Sequence, residues 1–160
     1  MYPNGDIYFG QHKNFTKDGQ GKMLYANGSS YEGGWSNERK HLNGLSRDLA
    51  TGDVYNGSYT DGKRNGKGRM YNHEKEEIYD GDWSNDRRQG EGFVINRKGV
   101  VCSGDFRADH MEGKLTYWKT LSKTETDDVF SVILDTNDAF IVVDKSKTQH
   151  LLNGLPSRAE

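Results

Sequence analysis

Two patterns of apolar and polar positions divide this chain. Up to residue 118 the apolar positions are largely aromatic and sit two apart around a glycine. Tyr8-Phe9-Gly10, Tyr31-Glu32-Gly33, Tyr55-Asn56-Gly57 and Tyr79-Asp80-Gly81 line up, with Cys102-Ser103-Gly104 as a fifth. Two residues beyond each glycine stand His12, Trp35, Tyr59, Trp83 and Phe106. Alternation of this kind predicts a strand with one buried face. Asp61-Gly62-Lys63-Arg64-Asn65-Gly66 supplies turn chemistry, and Lys67-Gly68-Arg69-Met70-Tyr71 follows as a second strand. A further turn such as Ala26-Asn27-Gly28 leads into the next unit. Each unit therefore reads as a β-hairpin.

The spacing makes the pattern a repeat. Gly10, Gly33, Gly57, Gly81 and Gly104 lie 23, 24, 24 and 23 residues apart. Three more glycine columns run in phase. Gly21, Gly44, Gly68 and Gly92 stand eleven after the key glycine, with Leu115 breaking the series. Gly19, Gly66, Gly90 and Gly113 stand nine after it, with Leu42 the exception, and Gly5, Gly28, Gly52 and Gly99 five before it, with Glu76 the exception. A glycine between two aromatics on one strand face lets a ring come close to the backbone. The predicted fold is all-β, an elongated single-layer ribbon of five consecutive hairpins whose core is a ladder of rings. Units start near residues 8, 31, 55, 79 and 102.

The composition fits this repeat. The chain has 160 residues, 20 of them glycine, with 32% hydrophobic and 29% charged residues and a mean hydropathy of −0.99. Such values lean towards disorder, but the 11% aromatic content and the phased glycines oppose it. No apolar run approaches the roughly 18 residues of a membrane-spanning helix, and no signal-peptide pattern follows Met1. A single cysteine, Cys102, excludes an internal disulfide framework. A net charge of −2 gives no general attraction to nucleic acid.

The repeat resembles the MORN family (membrane occupation and recognition nexus), whose unit is close to Y-x-G-x-W/F-x-x-G-x-x-x-G-x-G. The run from Tyr55 through Gly57, Tyr59, Gly62 and Gly66 to Gly68 fits it throughout. The unit at Tyr31 departs from it at Glu38 and Leu42, the first unit at His12 and Phe15, and the fifth at Cys102 and Leu115. The resemblance covers residues 2–118. It implies a non-catalytic scaffold or adaptor that binds proteins, and in some members anionic lipids or an attached enzyme such as a lysine methyltransferase or lipid kinase. It also implies a cytoplasmic location, with cytoskeletal or membrane association. Tyr2-Pro3-Asn4-Gly5 resembles the tail of a preceding unit.

The second pattern occupies residues 119–160. After a polar stretch, residues 129–134 and 139–143 are the only aliphatic-rich runs, separated by the turn-like Asp135-Thr136-Asn137-Asp138. They read as a C-terminal β-hairpin at 129–144: a cap on the ribbon, an adhesive edge for homodimerisation or partner binding, or part of another domain.

Candidate chemistry falls in two sets. The rings Tyr31, Trp35, Tyr55, Tyr59, Tyr79, Trp83 and Phe106 form the core, and a groove along them would seat a helix or an extended peptide of a protein partner. Six and seven residues after the key glycines stand Arg39-Lys40, Lys63-Arg64 and Arg87-Arg88, read as basic turns stacked along one edge. They are either solvated turns or a row facing anionic lipid. Thr16-Lys17 and His110-Met111 take those places in the first and fifth units, so the row is expected to fade at both ends. Residues 1–118 hold 17 basic and 17 acidic groups, which weakens the lipid reading. The five histidines lack metal-ligand spacing, Cys102 fills a core column, and no catalytic set has positional support. The sequence therefore points to no enzyme, cofactor, metal or nucleic-acid partner.

Overall fold

The computed structural model describes residues 1–120 and 122–124. The hairpin expected at 129–144 lies outside the described residues, as does the dimerisation assigned to it. Ten strands follow one another: β1 (Ile7–Lys13), β2 (Thr16–Leu24), β3 (Ser30–Ser36), β4 (Arg39–Arg47), β5 (Val54–Thr60), β6 (Lys63–Asn72), β7 (Glu77–Ser84), β8 (Arg87–Asn96), β9 (Val100–Arg107) and β10 (His110–Thr120). They form one antiparallel sheet in the order of the sequence. At about 4.8 Å per strand the sheet is on the order of 45 Å wide.

The tight turns are shorter than the sequence suggests. Asp61 (φ 50°) and Gly62 (φ 83°) alone connect β5 to β6. Positive φ at both central residues is the type I′ geometry that matches strand twist. Asn14-Phe15, Asn37-Glu38, Asn85-Asp86 and Ala108-Asp109 repeat it. The basic residues expected in turns consequently open the strands β4, β6 and β8. On the opposite edge, Tyr2 to Gly5 forms the same loop as Tyr25 to Gly28. Gly5 N–H donates to Tyr2 O at 3.0 Å, as Gly28 N–H does to Tyr25 O at 2.9 Å.

A glycine seam crosses the sheet from β1 to β9. Gly10 pairs with Gly21, Gly21 with Gly33, Gly33 with Gly44, and so on to Gly92 with Gly104. Tyrosine rings cover the seam. A Cβ at Gly68 would meet Tyr55 Oη at 2.2 Å, and one at Gly92 would meet Tyr79 Cε2 at 2.1 Å. Just past the seam each hairpin bulges. Gly57 pairs with Gly68 but Tyr59 with Arg64, so Ser58 faces three residues. The tyrosine hydroxyl ties down this irregularity: Tyr8, Tyr31, Tyr55 and Tyr79 donate to the carbonyls of Gln11, Gly34, Ser58 and Asp82 at 2.9–3.0 Å.

The ring ladder is continuous. His12, Tyr8, Trp35, Tyr31, Tyr59, Tyr55, Trp83, Tyr79 and Phe106 contact one another in that order. Centroids are 5.1–5.4 Å apart and planes 81–88° apart. Edge-to-face pairs of this kind contribute about 0.5–1.5 kcal/mol each beyond area burial. A second apolar stripe lies on the opposite face. Tyr71, Ile78, Ile95 and Val101 are directly opposed across β6–β9 and all are buried. The expectation of a single ring-lined core holds for the first half of the sheet and is corrected in the second.

Candidate functional site

All seven rings read as partner-binding are buried, with Tyr31 at 0% and Trp35 and Phe106 the most exposed at 6%. They meet each other and the backbone, and what lies over them is a row of cations. This row comes from the strand register. Beyond the bulge, Lys40, Arg64 and Arg88 pair with Trp35, Tyr59 and Trp83 across their hairpins. Residues directly opposed share a face, so these side chains fold onto the rings.

The distances support cation–π contact. Lys40 Nζ is 4.7 Å from the Tyr31 centroid and 5.5 Å from that of Tyr59. Arg64 Cζ lies 4.5 Å over Trp83, and Arg88 Cζ 4.7 Å over Phe106. Lys17 belongs to the same row, 5.3 Å over Trp35 and buried. The row therefore does not fade at the first unit. It does end at the fifth, where Met111 is exposed. Arg39, Lys63 and Arg87, one residue earlier, point away and are exposed. The two columns read together as basic turns thus separate into an exposed rim and an inward row.

Acids of the following turn fix most of the inward row. Asp86 accepts the Arg64 N–H at 2.9 Å and pairs with its guanidinium at 3.2 Å. Asp109 accepts the Arg88 N–H at 2.8 Å and pairs with its side chain at 3.5 Å. Glu38 does the same for Lys17. Burial works against the Lys17 charge, but the hydrogen bond and charge of Glu38 prevail and its pKa is raised. For Lys40 the balance reverses, and burial lowers its pKa.

Two grooves lie along this face. One, of about 470 Å³, runs from Tyr25 and Ser29 past Lys40, Ser46 and Tyr59 to Gly62 and Arg64. The other, of about 230 Å³, is lined by Trp83, Tyr79, Arg88 and Asp109. Arg64, Met70 and Asp86 line both, so the grooves adjoin. Burial pushes the Tyr59 hydroxyl up to about 12, and it shares a hydrogen bond with Ser46 Oγ at 2.8 Å. Among the described residues, no group of three or more His, Cys, Asp or Glu could hold a metal ion, and no helix is long and apolar enough to cross a membrane.

Reading the sequence missed Lys17 and the acids at 38, 86 and 109. The available signal was the in-phase recurrence of an acid five residues after the key glycine.

Among curated proteins none matches the chain. The family model of the MORN repeat matches residues 16–30, 55–72 and 79–99. Those segments fall on β2, β5–β6 and β7–β8, in phase with the glycine seam and the ring ladder. With its ten strands built as successive hairpins of that repeat, the chain belongs to the MORN-repeat family.

Proposed function

We propose that this protein is a non-catalytic scaffold or adaptor whose ring-and-cation face docks a protein partner. The observation that carries this reading is the pair of adjoining grooves, floored by tyrosine and tryptophan rings and walled by Met70, Lys40, Arg64 and Arg88. Aromatic, methionine and arginine side chains at the centre of a patch with polar residues at its rim are the composition of a protein interface. The partner is a helix or an extended peptide lying across β4–β8. The rings, being buried, contribute chiefly through the cations they hold in place. Pull-down with mass spectrometry, comparing the intact chain with Met70→Glu, tests this. A stoichiometric partner that the variant loses supports it, and a partner held equally by both contradicts it.

A second reading is favoured by the exposed rim. Arg39, Lys63 and Arg87 stand at the starts of β4, β6 and β8 along one edge, where anionic headgroups could meet them. Arg39 lies 3.8 Å from Asp61, which reduces its share. Flotation with phosphatidylserine vesicles that weakens with salt and with Arg87→Glu supports this reading, and no flotation at low salt rejects it.

A further inference from the structure

The inward row has four cations, and the turn that follows each donates a backbone bond to it. Glu38 N–H donates to Lys17 O, Gly62 to Lys40 O, Asp86 to Arg64 O and Asp109 to Arg88 O, at 2.8–3.0 Å. Three of those turn residues also carry a carboxylate, which accepts the cation's own N–H and pairs with its side chain. The fourth is Gly62. Lys40 keeps the backbone link but has no carboxylate at its N–H or its ammonium among the described residues.

Three features of the surroundings bear on what could take that place. A Cβ at Gly62 would meet nothing within 4 Å, so the direction in which Asp86 and Asp109 project is open here. The larger groove passes through this point and contains both Lys40 and Gly62. The ammonium of the half-buried Lys40 lies 4.7–5.8 Å from the ring centroids of Tyr31, Tyr59 and Tyr25, and Asp86, Arg64 and Asp48 are the charged groups that act on it. A half-buried cation with no carboxylate in direct contact is a costly arrangement that a bound anion relieves.

We propose that the Lys40 ammonium and N–H receive a carboxylate from the docked partner, an Asp or Glu side chain of a peptide, where Glu38, Asp86 and Asp109 serve the other three cations. This rests on the docking reading above. A carboxylate fits better than a phosphate because the groove already balances Lys40, Arg47 and Arg64 against Asp48, Asp53 and Asp86. A singly charged group is repelled less by those three acids than a dianion.

The test is an NMR titration of the labelled full chain, read at the Lys40 amide and Cε. The probes are the capped peptide Ala-Ala-Glu-Ala-Ala, its Gln counterpart, inorganic phosphate, and phosphatidylcholine–phosphatidylserine vesicles. The Glu peptide is expected to give saturable shifts in the millimolar range, at least tenfold weaker with the Gln peptide. The same loss is expected in Gly62→Asp, whose own carboxylate takes the place. Asp86 and Asp109 hold the same turn position at φ 68° and 71°, so aspartate suits the backbone at 62, and the variant's amide spectrum checks its fold. No shift with the Glu peptide, or a shift with phosphate or vesicles alone, overturns the proposal. A protein partner that binds the ring face of the intact chain and of Gly62→Asp equally also overturns it, while leaving the docking reading in place. A Lys40 response without any partner on that face supports the carboxylate site and rejects docking.

Discussion

Tyr55 packs directly onto Gly68, with no space between them for even a methyl group: a Cβ there would lie 2.2 Å from the Tyr55 hydroxyl and 2.5 Å from Cζ. The ring cannot yield freely, because its hydroxyl is bonded to Ser58 O at 3.0 Å and its edge meets Tyr59 and Trp83. Gly68→Ala should therefore destabilise the fold by about 2–3 kcal/mol, the cost of overpacking a filled core. Gly62→Ala meets no atom and should cost about 1–2 kcal/mol, from its left-handed φ alone. Thermal or urea unfolding of the two variants checks the order. Equal effects would show that the seam does not need close approach.

Leu42 occupies a bulge position that glycine fills in neighbouring units, with φ 57° where Gly66 has 100°. It is 63% exposed, so little packing offsets the strain. Left-handed backbone costs a branched aliphatic residue about 1–2 kcal/mol, while glycine loses about 0.5–1 kcal/mol of unfolded-state entropy. Leu42→Gly should raise stability by up to about 1 kcal/mol, and Leu42→Val should lower it. A higher denaturant midpoint for Leu42→Gly confirms this, and a lower one shows that the side chain contributes packing.

The tyrosines set an alkaline limit. Burial raises the pKa of Tyr31, Tyr55 and Tyr79 and takes Tyr59 to about 12. The folded state then holds these protons more tightly than the unfolded chain, whose phenols titrate near 10. The stabilisation is fully present below about pH 10 and is lost as pH rises through the folded values. Tyr59 alone accounts for about 3 kcal/mol between pH 10 and 12, at about 1.4 kcal/mol per unit. Urea midpoints should be insensitive to these groups from pH 7 to 9 and fall steeply above 10. A midpoint that holds to pH 12 would contradict the burial of these hydroxyls.

The hairpins and the ring ladder were legible because five copies amplify a weak local signal. Tyr55-x-Gly57-x-Tyr59 alone is an ordinary strand, whereas in register with four others it defines a sheet. The direction of the cations was not legible. It follows from the length of the turn: with Asp61 and Gly62 alone between the strands, Arg64 shares the alternation of Gly66 and Gly68, which pair with Trp83 and Gly81 on the ring face, and the turn-like run from Asp61 to Gly66 conceals that length. The buried stripe of Tyr71, Ile78, Ile95 and Val101 did have a signal. Met70-Tyr71, Ile78-Tyr79, Val94-Ile95 and Val101-Cys102 are adjacent apolar pairs, as expected of strands covered on both faces.

Docking on the ring-and-cation face requires a partner to lie within reach of Met70. Site-specific photo-cross-linking measures this, with benzoylphenylalanine placed at Met70, which lines both grooves, or at Lys67, exposed on the opposite face. A discrete cross-linked partner is expected from Met70 and none from Lys67. Cross-linking from Lys67 with none from Met70 would contradict docking on this face.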